Sequence, residues 1–180
     1  MENQLPRRPV RPWRAGDATS LVRHANNRAV WQNVRDRFPH PYTASDAKKW
    51  LDAQESAELP LVNFAIDLDG EAVGGVGLVT GTDVESRTAE IGYWLGEEVW
   101  GRGLATAAVG SISRYAFESL EMIRVFAAVF DFNPASARVL EKAGFVREGV
   151  MRDAAIKEGR VVSMVVYGMT RDDYASQCRR

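Results

Sequence analysis

The chain is poor in anything that could staple it or tie it to a membrane. Its single cysteine, Cys178, rules out an internal disulfide. Two histidines are all that stand beside that cysteine, which argues against a structural zinc site. No apolar run approaches the ~20 residues that a membrane-crossing helix needs. An excess of charge is missing as well: the formal net charge of −1 argues against a broad nucleic-acid-binding surface. Residues 1–8 are polar and contain a proline, with no hydrophobic segment of the signal-peptide kind, so a soluble cytoplasmic protein is expected. Nor is there a linker, a low-complexity tract or an internal repeat, and residues 1–180 read as one domain.

What is present is an ordinary globular balance, with 46% hydrophobic and 26% charged residues. A chain of this length buries roughly two-thirds of its unfolded surface, enough for a core without a staple. Residues 9–13 read as a short edge strand, because their prolines cannot donate to a ladder. Asp17 is placed as the N-cap of a helix carrying Leu21, Val22 and Ala25 on one face. The run 38–42, Phe-Pro-His-Pro-Tyr, cannot be helical. Thr43 and Asp46 form a capping box for a helix bearing Ala47, Trp50 and Leu51.

A meander follows. Phe64, Ile66 and Leu68 alternate with Asn63, Ala65 and Asp67, the pattern of a half-buried strand. Asp69-Gly70 signals a hairpin into the Gly-rich strand 72–78. In the next strand, 89–95, Ala89, Ile91, Tyr93 and Leu95 share one face, while Glu90, Gly92 and Trp94 look the other way. Residues 104–120 read as a helix, with Ala105, Val109, Ile112, Ala116 and Leu120 at helical spacing. The short apolar run 125–130 reads as a strand buried on both faces. Asn133-Pro134 is an N-cap followed by proline at the first helical position, opening a helix that stops at Gly144. Two last strands, 146–156 and 161–169, are joined by Lys157-Glu158-Gly159.

Between a strand and a helix lies Trp100-Gly101-Arg102-Gly103-Leu104-Ala105-Thr106. A helix start offers unpaired N–H groups and a partial positive charge, and glycines let a ligand approach the backbone. Arg102 can add a charge-assisted contact to phosphate. The spacing is neither a Walker A loop nor a Rossmann fingerprint. On spacing alone, a phosphate cradle and a tight strand-to-helix turn with an incidental arginine both stand.

This segment resembles the acetyl-coenzyme A loop of the GNAT superfamily, Q/R-x-x-G-x-G/A, with Gly103 and Ala105 in the small-residue places. Residues 89–95, Ala-Glu-Ile-Gly-Tyr-Trp-Leu, resemble the strand before that loop in the RimJ/RimL-like ribosomal-protein acetyltransferase branch. Asn133-Pro134-Ala135-Ser136, Leu140-Glu141-Lys142-Ala143-Gly144-Phe145 and Glu148-Gly149 resemble the same branch's second signature. Residues 38–43 with Asp46-Ala47 match its N-terminal half. The likeness runs over nearly the whole chain in the right order.

The resemblance implies an α/β fold: a mixed sheet of about seven strands, splayed between the fourth and fifth, with helices on both faces. It implies an acetyl-CoA-dependent N-acetyltransferase working by direct transfer to a primary amine, with no metal. The pantetheine arm would enter the splay beside Tyr93, Trp94 and Leu95. The amides of Gly101, Arg102, Gly103, Leu104, Ala105 and Thr106 would hold the pyrophosphate, and Asn133, besides capping its helix, would contact the arm.

Four positions depart from well-defined relatives. Trp100 takes the Q/R place, Leu140 the place of a proton-donating tyrosine, Ala128 that of a strand glutamate, and Ser163 that of an aspartate. Ser136 is the candidate donor of a proton to the departing thiolate, and otherwise a first-turn helix serine. Glu90 is the candidate base, acting through water, and otherwise half of a salt bridge. His40, Tyr42 and Trp94 are candidates for the acceptor site, the first otherwise a turn residue and the aromatics otherwise core. The acceptor is an N-terminal α-amine of a protein or peptide, or a small amine such as a polyamine, amino acid or aminoglycoside; Glu85, Glu97 and Glu98 are too few to decide. A non-catalytic acyl-CoA-binding module is the third reading, and a homodimer is common among relatives.

Overall fold

The computed structural model describes residues 9–177; Cys178 and residues 1–8 lie outside them. Seven strands form one sheet: β1 (Val10–Arg11), β2 (Asn63–Leu68), β3 (Glu71–Thr80), β4 (Thr88–Leu95), β5 (Arg124–Phe130), β6 (Val146–Lys157) and β7 (Arg160–Thr170). Their order is β1-β2-β3-β4-β5-β7-β6. Every neighbouring pair is antiparallel except β4 with β5. The helices are α1 (Ala18–Ala25), α2 (Arg28–Trp31), α3 (Ala44–Glu55), α4 (Leu104–Glu118), α5 (Pro134–Lys142) and α6 (Arg171–Gln177).

Side-chain alternation sorts the sheet into two faces. Ala89, Ile91 and Leu95 of β4 and Val125, Ala127 and Val129 of β5 pack in the main core with Val109, Ile112 and Ala116 of α4 and Leu140 of α5. On the other face, Trp94 joins a second cluster built by Leu21 and Ala25 of α1, Tyr42, and Ala47 and Leu51 of α3. The α3 capping box forms as expected: the Thr43 hydroxyl accepts from Asp46 N–H, and the Asp46 side chain accepts from Thr43 N–H.

Several expectations are corrected. The Asp17 side chain does not cap α1. It accepts two bonds from the Arg11 guanidinium at 2.8 and 2.9 Å and one from Arg14 N–H at 2.9 Å. A bidentate charged partner outcompetes neutral helix amides. Ala65, expected on the solvent side of β2, is as buried as Phe64, because the helices cover both faces there. The fifth strand is not buried on both faces: Phe126 and Ala128, on the face away from the main core, are half-buried. Two short helices, α2 and α6, were not anticipated, although Thr170 and Asp173 hydrogen-bond to each other in the pattern of a capping box.

At the outer edge, β6 runs against β7 with two extra residues between Met151 and Ala155. The bulge holds Asp153 at φ 51°, and its N–H donates to the Ser163 hydroxyl at 3.2 Å. Val146, Val150, Met151 and Ile156 of this strand are exposed.

Candidate active site

Strands β4 and β5 pair only where Thr88, Ala89 and Glu90 meet Arg124, Val125 and Phe126. Beyond Glu90 they part, and β4 continues to Leu95 without a neighbour on that edge. Hydrogen bonds fix which edge each residue serves. Gly81 N–H donates to Thr88 C=O and Gly96 N–H to Val73 C=O, both on the β3 edge, while Ile123 N–H donates to Arg87 C=O toward β5. Alternation then turns the backbone of Tyr93 and Leu95 into the gap. Trp100, in the place of the expected Gln or Arg, donates its indole N–H to Leu95 C=O at 2.7 Å and ties the following turn to the end of the strand.

That turn is bare. Gly101 and Gly103 adopt φ of 77° and 79°, a region costly for other residues, and no atom lies within 4 Å of where a Cβ would project. Gly103 opens the 15-residue helix α4, whose first amides have no helical partner. Arg102 is exposed beside them, and Leu104, Ala105 and Thr106 form the half-buried first turn.

Across the gap stands the start of α5. Asn133 accepts from Ser136 N–H at 3.0 Å, which confirms its capping role. Ser136 is also met by a residue from β4: the Tyr93 hydroxyl lies 2.7 Å from Ser136 Oγ and 3.1 Å from Ser136 C=O. Burial pushes the Tyr93 phenol up to about 12, against the opposing pull of Ser136. Leu140, in the place expected for a tyrosine, is wholly buried, and the phenol at the α5 terminus comes from β4.

The face of β4 that carries Trp94 presents Glu90 and Gly92. An ion pair joins Glu90 to Arg35 in the loop after α2. Gly92 is exposed, with nothing within 4 Å of its missing Cβ, so it leaves a notch between Glu90 and Trp94. Phe38 packs on both Tyr42 and Trp94, with centroids 5.1 and 5.3 Å apart. Tyr42 is only 6% exposed and supports this face from within. Burial first, then the nearby Asp46 charge, pushes its hydroxyl up to about 12.

The 28–42 segment is strapped to the β6–β7 hairpin. Lys157, whose side chain is 3% exposed, donates to Asp36 at 2.6 Å and Val34 C=O at 2.9 Å. Its ammonium sits 3.8 Å from the centroid of the Trp31 ring, on which exposed His40 also stacks. Arg28 pairs with Glu158 of the hairpin turn. Beside the strap lies an open pocket of about 330 Å³, lined by Phe130, Ala154, Ala155, Ile156 and Met164, with Arg35, Asp36 and Lys157 at its polar side.

Tyr93, Asn133 and Ser136 thus converge across the gap, and Glu90 and Trp94 share the opposite face. Tyr42 stands in the core beneath that face, and His40 sits on Trp31. Arg35 went unnoticed in the sequence, and Gly92 and Lys157 were read only as a strand and a turn position; Arg35 and Lys157 act through contacts 55 and 121 residues away, which no local pattern signals.

Comparison with known proteins adds to this geometry. A family model described as an acetyltransferase (GNAT) domain matches residues 7–146. A putative ribosomal N-acetyltransferase, YdaF of Bacillus subtilis, is 33% identical over 124 residues, 69% of this chain and 67% of that protein. The structure of Mycobacterium smegmatis RimJ in complex with CoA-disulfide superposes with a TM-score of 0.78 at 24% identity, covering 94% of this chain and 88% of that one. Spermidine N-acetyltransferase from Vibrio cholerae, in complex with CoA and spermine, gives 0.76 at 21% identity over 92% and 96%. At such identity the two structural likenesses speak to the fold alone.

Proposed function

The chain belongs to the GNAT acetyltransferase family, and from that premise we propose that this acetyl-CoA-dependent N-acetyltransferase acts on the N-terminal α-amine of a protein or peptide. The cofactor half of the reading is carried by the parting of β4 and β5 beside a turn whose two glycines leave the backbone open, and the acceptor half is supported by the ribosomal N-acetyltransferase relative. The residues present fit acetyl-CoA. The gap exposes the Tyr93 and Leu95 backbone to an extended arm, and the amides from Gly101 to Thr106, with Arg102, suit a pyrophosphate. Asn133 and Ser136 border the same gap.

Acetyl-CoA, when bound, would supply the acetyl group: the amine nitrogen bonds to the thioester carbon, the carbon–sulfur bond breaks, and CoA leaves as a thiolate. The chain's own groups manage the protons. An α-amine titrates near ~8 and a lysine near ~10, so the acceptor must lose a proton before it can attack. Glu90 takes that proton, directly or through water, once the ammonium has exchanged with Arg35. Backbone N–H groups in the gap polarise the carbonyl. Ser136 Oγ–H protonates the thiolate and regains a proton from solvent, and the Tyr93 hydroxyl, 2.7 Å away, holds Ser136 in place. Holding amine and thioester on opposite sides of one gap contributes proximity.

The test is acetyl-CoA-dependent thiol release with two acceptor pools, free-N-terminus peptides and small amines including spermidine. Faster release with peptides supports the reading. Release confined to small amines overturns it.

A further inference from the structure

His24, only 4% exposed, is a buried polar group that the proton transfers do not use. Its Nε2 lies 3.0 Å from a Glu71 carboxylate oxygen at the start of β3, which also accepts from Arg23 at 3.4 Å. The other edge of the ring closes on Gly96, where β4 ends: a Cβ there would lie 2.4 Å from His24 Nδ1. The Gly96 backbone, at φ −57° and ψ 138°, is open to any residue, so the close ring is what demands a glycine.

Two further contacts bind the same stretch to the end of α1. Arg23 pairs with Glu98 at 2.5 Å, and the Asn27 amide donates to Glu97 at 2.8 Å. Both glutamates belong to the single helical turn Glu97–Val99, which leads through Trp100 into the glycines at 101 and 103. From inside, that turn is held by buried Val99 and by the Trp100 indole on Leu95 C=O. Asn27 holds it from outside while its Oδ1 caps α2, accepting from Ala29 and Val30 N–H.

Resting on the reading that the amides from Gly101 to Thr106 hold the pyrophosphate, we infer that the end of α1 positions this cradle for acetyl-CoA. His24 fixes where β4 hands over to the turn, and Asn27 and Arg23 fix the helical turn that follows. Amides bind one anion well only when they point to a common spot, and glycines give the turn no stiffness of its own. The stiffness comes from partners 70 and 75 residues away in sequence.

Calorimetry with acetyl-CoA tests this on two residue pairs. Gly96→Ala, which must displace the histidine ring, raises the Kd roughly tenfold, and adding His24→Ala recovers most of the loss by making room. Asn27→Asp keeps the cap on α2 but sets a second carboxylate against Glu97, and the Kd rises about fivefold. Glu97→Gln restores affinity in the Asn27→Asp background and changes it less than about twofold on its own. A simple effect of net charge would instead tighten binding equally in both backgrounds, and would overturn the inference. Denaturant midpoints establish that each variant is folded when titrated, and should Gly96→Ala not fold, the Asn27 pair decides. Unchanged affinity in the folded variants, or losses that the partner substitutions do not relieve, would overturn it as well. Gly103→Glu, run alongside, separates the two levels. If it leaves affinity untouched, the cradle is misplaced and the inference falls with it. If it abolishes binding while the α1 contacts prove indifferent, the cradle stands and only its positioning by α1 falls.

Discussion

Tyr93 reaches from β4 to Ser136, 43 positions later, and the two hydroxyls share one hydrogen bond. Replacing the phenol by Tyr93→Phe is expected to lower kcat roughly tenfold, and Ser136→Ala about a hundredfold, with acetyl-CoA affinity kept in both. The phenol is pushed up to about 12, so its neutral form is favoured and it keeps its proton at every pH the enzyme will meet. Rate profiles of the wild type and Tyr93→Phe should therefore bend at the same pH values; a limb lost with the hydroxyl would contradict that placement. In the bare turn, Gly103→Glu should abolish acetyl-CoA binding in a protein that still folds, because the side chain enters the cradle with bulk and negative charge. Unchanged affinity would show that the turn is not the cradle. The glycines, Asn133 and the Thr43–Asp46 box were legible in sequence because each acts on backbone a few residues away. The partners of Tyr93 and Glu90 were not, since only the folded sheet brings positions 136 and 35 to them.

Strand and helix boundaries were read well where a period or a stop signal marks them, as in β4, α4 and the hairpin after Asp69-Gly70. They were read poorly where tertiary surroundings decide. The apolar string of β5 looked doubly buried, yet Phe126 and Ala128, on the face away from the main core, are half open. A tie between β5 and β6 is equally invisible locally: Arg124 holds Glu148 by two hydrogen bonds, and that contact keeps the Glu148 carboxyl below its ordinary range. A lowered folded value means stabilisation that is present above the unfolded value of roughly 4.3 and lost as pH falls through the folded one. The stability gap between wild type and Arg124→Met should therefore be open at neutral pH and close in acid. Denaturant midpoints at about pH 7 and pH 3 measure it, and a gap of constant size would contradict the pairing.

For the molecule as a whole, the 28–42 segment and the β6–β7 hairpin are held together chiefly through Lys157, whose ammonium serves Val34, Asp36 and the Trp31 ring at once. Lys157→Met should lower global stability by roughly 1–3 kcal/mol, because it leaves polar partners without their donor. It should also raise KM for the amine while the Kd for acetyl-CoA stays put. A parallel loss of acetyl-CoA affinity would mean that the strap serves both ligands. The β6 bulge has a consequence for how copies of the protein behave in concentrated solution. An outer strand with exposed Val146, Val150, Met151 and Ile156 is a template on which further chains could zip. The kink at Asp153, anchored on Ser163, interrupts that template midway. Deleting residues 153 and 154 would straighten the strand, and turbidity at high protein concentration should rise; clear solutions would show that the kink is not what keeps neighbouring molecules apart.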